Sequence, residues 1–567
     1  MGYSSASFDP AGIAANSDAA SSAAVEANAA SVAAAAASSK IAAQSSAWEA
    51  LESVAHNLIG TAGNAGFGVG ICPPQLLPAG MTPLFGYNDP SSDNYGNYQY
   101  KDGSIIVWIP KFYYLISTNT VTIKGVDTYA NEQDANADNY ALHRAFIDGG
   151  VEQQGFFIDK YKCSKNAWGG GYVASSIKNG LPISIHADHN PIADLTACDT
   201  NAYFEAIDAA HARDGADGAV NASSIFHCAS IFQLRALALL SLAHGQASSG
   251  TTYCAWYDAT YNYPKGCNND ALKDYDEVTN GAGSGDDLEY TSDGYSNCGK
   301  TGSGVPFAKS THNGQNCGVA DLNGLMNEVA IGVTAVVASD TIEDISRANP
   351  ANVQETGHSK ETGDYVMITD IEVGDWAGLD DKIYAVTKVD ADNYTLDGVD
   401  TSGFSAAYVQ GTNHGTTYSG DFYVAKEATA MKDFDSGNSG ATDHWGATGV
   451  AAMMDAFTPV FETEYNVNGF VQRMGSGANQ VLDEAVSGNG WLLTGMGMPQ
   501  DKDGIDTTGT NLFGKDYYYQ YLRNELCVRS CGYWGYASGA GVWYVNLNYY
   551  RAASSNGVGF RCAMYPE

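Results

Sequence analysis

The chain is short of positive charge. Its 567 residues carry 28 Lys and Arg against 64 Asp and Glu, a formal net charge of −36. Binding to nucleic-acid phosphates or to an anionic membrane needs a basic face, so neither class of partner is expected. Charged residues of both signs make up only 16% of the chain, too few for a solvated acidic tail. Proline is scarce, at 15 residues. No apolar run approaches the ~18 residues that a transmembrane helix requires, and no membrane insertion is expected. The opening MGYSSASFDPAG has neither a basic leader nor an apolar core, so no secretory signal is predicted. Eleven cysteines are scattered from Cys72 to Cys562. Without dense spacing they read as reduced thiols of a protein made in a cytosol, and disulfides are not implied.

What the chain has in excess is glycine, 64 residues, and tyrosine, 36. Glycine at this level without a G-X-Y period excludes collagen and points to a loop-rich fold. Tyrosine is the residue that recognition surfaces overuse. At 44% hydrophobic residues the chain can bury sizeable cores. At ~150 residues per domain, its length suggests three to four domains.

Composition divides the chain. Residues 1–60 are mostly Ala and Ser, a helical composition, with a short heptad seam at Ile41, Trp48, Leu51, Ala55 and Leu58. They are predicted to form an attachment or trimerisation helix. Residues 61–98 open with GTAGNAGFGVG and read as a Gly-rich linker and hinge. From residue 99 short β-type runs alternate with Gly, Asn and Asp turns. One helix stands out over residues 230–245, SIFQLRALALLSLAHG, with a Ser start and a Gly stop. Residues 349–412 alternate in strand fashion and read as an inserted all-β module, which divides the surrounding domain into 99–348 and 413–567.

Four segments, in order, carry a resemblance: VWIPKFYY, then HRAFIDGGVEQQGFFIDKYKCS, then GVADLNGLMNEVAIG, and finally GVGFRCAMYPE. Together they resemble the formylglycine-generating-enzyme branch of the C-type-lectin fold over some 400 residues. The run VTKVDADNYTLDGVDTSGF in the insert resembles the FCCH-like domain of ubiquitin-activating enzymes, a module that recurs in phage tail proteins. The resemblance implies an α+β fold, with a lectin-like domain, a small all-β insert and an N-terminal Ala-rich helix. The combination resembles a bacteriophage tail-fibre or receptor-binding protein.

A narrower resemblance is to the variable proteins of diversity-generating retroelements, of the phage major-tropism-determinant type. Those proteins are hypermutated at Asn-derived codons between a G-x-W start and a G-F-R end. The matching stretch here is CGYWGYASGAGVWYVNLNYYRAASSNGVGFRCA, residues 531–563. Its candidate variable residues are Tyr533, Tyr536, Ser538, Tyr544, Asn546, Asn548, Tyr549, Tyr550, Ser554, Ser555 and Asn556. All are Tyr, Ser or Asn, which adenine changes in an Asn codon can reach. Tyr brings contact area with few rotors to freeze, while Ser and Asn supply adaptable hydrogen bonds. Tyr536, Tyr544, Tyr549 and Tyr550 are expected on the surface, and Trp534, Phe560 and Arg561 in the scaffold. The run KDYYYQY, residues 515–521, is expected to border the same patch.

Signals for chemistry are weak. The oxidase branch binds copper through a cysteine pair placed after its G-S-Y/W element. Here Cys527 and Cys531 precede Gly532, so that activity is not carried over. GYSNCGKT, residues 294–301, satisfies the P-loop pattern, but it follows a polar stretch and runs into GSGVPF where a helix should begin. QDKDGID, residues 500–506, places its Gly too early for a calcium loop and reads as a solvated acidic turn. The histidines are dispersed, and no G-x-S-x-G element occurs. No catalytic residue, metal or cofactor is therefore expected.

The sequence predicts a binding protein of a phage tail, a homotrimer made in the bacterial cytoplasm and carried in the virion. Its partners would be other tail proteins and a host surface protein or glycan. Two other readings stay open: a bacterial retroelement-diversified ligand-binding protein outside a virion, and a structural tail protein with no receptor contact.

Overall fold

Strands dominate the architecture. A computed structural model describes residues 56–117, 120–257, 300–303, 306–380, 382–436, 450–457, 466–468, 516–520, 523–533 and 540–566. The predicted Ala/Ser helix lies outside the described residues but for its last few positions. The expected α+β lectin-like class is corrected: several β-sheets carry the fold, and helix is the minor component. Besides the 17-residue helix Ile231–Ala247, no described α-helix exceeds seven residues. The physical reason is the texture of the chain, in which strands of two to ten residues, rich in β-branched and aromatic residues, are punctuated by turn formers.

The first sheet runs Thr82–Pro83, Asn97–Gln99, Ile105–Pro110, Gly155–Asp159, Cys562–Met564, Phe226–Cys228, with every pair antiparallel. Its centre is buried on both faces, and Trp108 and Phe157 meet there with ring centroids 4.8 Å apart. Gly155 is required beside them, since a Cβ there would lie 2.4 Å from the Trp108 ring. The strand Cys562–Met564 therefore reaches back some 400 residues to seal a sheet begun before residue 160.

The predicted linker is part of this core. Phe67, Val69, Ile71 and Cys72 are buried, and strands from residues 82–83 and 97–99 join the sheet. Its glycines serve close approach: a Cβ on Gly70 would sit 2.4 Å from Pro110 and 2.5 Å from a main-chain oxygen of Leu58.

The long helix begins as the sequence indicates. Ser230 caps it, and Gln233 completes a capping box. It passes Gly245 and ends at Ala247, with the Ser248 N–H bonded to the His244 carbonyl at 3.0 Å. Residues 231–245 are all buried, Arg235 included, so the helix is a core element enclosed on every side.

The second sheet has the order Asn466–Asn468, Tyr517–Gln520, Val545–Tyr550, Leu526–Ser530, Asn327–Ala330, Val558–Gly559, with two parallel pairs. The third sheet contains the insert. Strand Val333–Thr341 leaves the body and Thr416–Ala425 returns, paired over nine residues from Val333↔Val424 to Thr341↔Thr416. Beyond this two-stranded neck the insert has its own core, with Ile342, Val353, Val366, Trp376, Tyr394 and Leu396 among its members. The module thus begins earlier than residue 349 and closes near 415.

Among the described residues no helix is long and apolar enough to cross a membrane.

Candidate functional site

The candidate variable residues lie on and after strand Val545–Tyr550, and strand geometry sorts them. Side chains alternate between faces, so neighbours in sequence are separated in space. On one face the Arg523 Nε donates to the Asn548 Oδ1 at 3.3 Å, and its guanidinium stands 5.9 Å from the Tyr550 ring centroid. Tyr550 is 44% exposed and Asn548 partly so. On the other face the Tyr549 ring is held between the Arg529 guanidinium, 3.3 Å from its centroid, and Tyr203 at 6.0 Å. Tyr549 is thereby built into the scaffold and only partly exposed.

Tyr544 is a correction. It was expected at the surface and is 1% exposed, with its hydroxyl accepting from the Asn546 amide at 3.2 Å. Asn546 is buried as well. The cause is the adjoining core: the Tyr544 carbonyl takes hydrogen bonds from the Ser530 hydroxyl and from Arg235 of the long helix. Tyr536 and Ser538, with Trp534, lie outside the described residues. Tyr533 is partly exposed and its ring lies over Gly557. Ser554 is exposed, and Ser555 and Asn556 are partly exposed.

The backbone of this segment is tied down where its side chains are open. The Arg551 N–H donates to Glu525 at 2.8 Å, and the Arg551 and Ala553 carbonyls accept from Phe204 and Tyr203 at 3.2 Å each. The Ser555 N–H bonds Ile185, the Ile185 N–H bonds Val558 at 2.9 Å, and Asn327 bonds Gly557 at 2.9 Å. These are main-chain groups, so they survive a change of side chain.

The neighbouring strand Tyr517–Gln520 runs parallel to Val545–Tyr550, with Tyr519 opposite Asn546. Tyr517 and Tyr519 are partly exposed and Tyr518 is buried. Sequence reasoning missed Arg523. Its signal is faint, a single basic residue between two tyrosine-rich strands.

The segments that carried the sequence resemblance meet elsewhere, in a buried ionic cluster. Arg561 donates from Nη2 to Glu328 at 2.7 Å, and Lys162 pairs with the same carboxylate at 2.5 Å. Burial alone would push the Glu328 carboxyl up, but Arg561 and Lys162 outweigh it and hold the group below the usual range. Beside this triad Arg213 grips both oxygens of Asp159, while the Cys562 N–H donates to Asp159 Oδ2 at 2.8 Å.

The possible metal ligands Asp159, Cys163 and Cys562 lie within 4.8 Å of one another. They do not suit a cation. Arg213 already supplies the positive charge to Asp159 and lies 3.4 Å from the Cys163 sulfur. Burial pushes the Cys163 thiol well up, away from the thiolate that a metal needs. Cys527 and Cys531 are buried too, and burial raises both thiols. Most of the P-loop-like run and all of the acidic turn fall outside the described residues.

No protein-family profile matches the chain, and no curated protein sequence matches it.

Proposed function

We propose that this chain is a receptor-binding protein of a phage tail, recognising a host-surface protein or glycan through Asn548, Tyr550 and the turn at Ser554, Ser555 and Asn556, with Arg523 beside them. The observation that carries the reading is the contrast just described. Main-chain hydrogen bonds fix residues 551–558 to four separate parts of the body, while Tyr550 and Ser554 stay exposed. A surface of that kind keeps its shape through side-chain substitution, which retroelement diversification would require. Tyrosine, serine and asparagine on a rigid support also limit the ordering entropy lost on binding.

The mechanism is non-covalent recognition. Several weak sites on a trimeric fibre become avid when they engage together. The test is adsorption of phage carrying Tyr550→Ala, Asn548→Ala or Arg523→Ala. Tyr550→Ala is expected to slow adsorption by about tenfold or more, since a hot-spot aromatic carries ~2 kcal/mol. Normal adsorption by all three variants, on intact particles, would assign the chain a structural role in the tail instead.

A further inference from the structure

A recessed site lies at the neck of the insert. It is a cleft of about 360 Å³ bounded on one side by the ladder of Val333–Thr341 with Thr416–Ala425 and on the other by residues 359–365. Ser419, Asp421 and Tyr423 alternate along the returning strand and so share one face of the ladder, opposite Ala338, Val336 and Thr334. Asp364, Tyr365 and Ser359 line it too. Val366 pairs with Ser419 in the same sheet, so by alternation Asp364 continues the face of Ser419 and Asp421, and Tyr365 lies on the other. Both tyrosines are partly exposed and both aspartates are exposed.

The charge arrangement limits what can enter. Lys360 lines the cleft, but its ammonium is already matched by the buried Glu355 and by Asp340 at 3.0 Å. Asp364 accepts one main-chain N–H, from Glu361 at 2.7 Å, and retains further acceptor capacity. Asp421 has no ion-pair partner among the described residues, and the nearby Asp364 charge adds to desolvation in raising its carboxyl. A ligand here must bring hydrogen-bond donors and an apolar ring face, and must not bring negative charge. Phosphates, uronic acids and acidic peptides are repelled. A pyranose ring meets each demand: its C–H face lies on tyrosine, and its hydroxyls donate to carboxylates. Pockets of this size accept ligands of a few hundred cubic ångströms.

We infer that this cleft is a saccharide site, taking a neutral or amino-bearing hexose unit against Tyr423, with Asp364 and Asp421 accepting its hydroxyl or amino protons. The inference does not depend on the receptor-binding reading of the C-terminal face.

The test is ligand-observed NMR on the full chain with the methyl glycosides of glucose, galactose and N-acetylglucosamine and with glucosamine. Methyl glucuronide serves as the anionic control and ethanolamine as a bare ammonium control. At least one hexose should bind with a millimolar dissociation constant, and the glucuronide should not. Tyr423→Ala and Asp421→Asn should each weaken binding by about tenfold, roughly 1.4 kcal/mol. Tyr423→Phe should retain most of it, and Tyr550→Ala should leave it unchanged. Asp421 is exposed, so its variant remains informative if Tyr423→Ala fails to fold. The inference is overturned if no hexose binds at roughly 20 mM, a concentration at which a millimolar site would be nearly saturated. It is equally overturned if the glucuronide binds as well as the hexoses, if ethanolamine alone binds, or if Asp421→Asn binds like the parent chain.

Discussion

At the residue scale the chain places its strongest electrostatic interactions where no solvent reaches. Lys162, Glu328 and Arg561 are fully buried. Removing one member of such a group leaves the others uncompensated in a poorly polarisable interior, at a cost of about 3–5 kcal/mol. Glu328→Gln should therefore lower the unfolding free energy at neutral pH by about that amount, read from the midpoint of denaturant unfolding. The pH dependence has a definite sign. Glu328 titrates lower in the folded chain than in the unfolded one, so its contribution is complete above the ordinary glutamate range. That contribution fades as pH falls through the lowered folded value, and the difference between parent and variant should shrink with it. A constant difference down to strongly acidic pH would contradict this account.

Elements show where sequence reading succeeds. The start of the long helix was legible because its signal is local: Ser230 and Gln233 satisfy each other's backbone N–H groups within four residues. Ser230→Ala should cost about 1 kcal/mol of stability, measured by thermal or denaturant unfolding. Its end was not legible, because enclosure by the core and the Ser248 bond carry the helix past the glycine that marks a usual stop. The Gly-rich linker misled for a related reason. A glycine demanded by a close neighbour, as Gly70 is by Pro110, looks in sequence like a glycine that confers freedom. The tyrosine cluster was located, but its two faces were not resolved. Tyr549 and Tyr550 are adjacent letters, and only strand pairing sends one to Arg529 and the other towards Arg523. Tyr544 went inside because Arg235, 309 residues earlier, and Ser530 on the neighbouring strand close over its carbonyl.

At the scale of the whole molecule the chain is a body with an inserted module, and the neck between them is a nine-residue antiparallel ladder. Because Thr341 and Thr416 are directly paired, the ladder can be closed by a two-residue turn in place of the intervening chain. A chain in which Asn-Gly replaces residues 342–415 should remain folded, with its body melting within a few degrees of the parent by calorimetry. Under the proposed receptor-binding role it should adsorb like the parent, and it should lose any saccharide binding at the neck. Collapse of the body on excision would mean that the module is part of the fold's foundation.

The strand Cys562–Met564 lies between Gly155–Asp159 and Phe226–Cys228, hydrogen-bonded to both. During translation those two flanking strands leave the ribosome hundreds of codons before the one that joins them. The central sheet stays an unfilled slot until residue 564 has been made, and a ribosome that stalls or frameshifts within residues 531–563 leaves it so. Any scheme that rewrites the codons of that stretch is thereby proofread by folding. A reading-frame error deprives the product of its keystone strand and leaves the edges of Gly155–Asp159 and Phe226–Cys228 unpaired, while an in-frame change on the surface passes through.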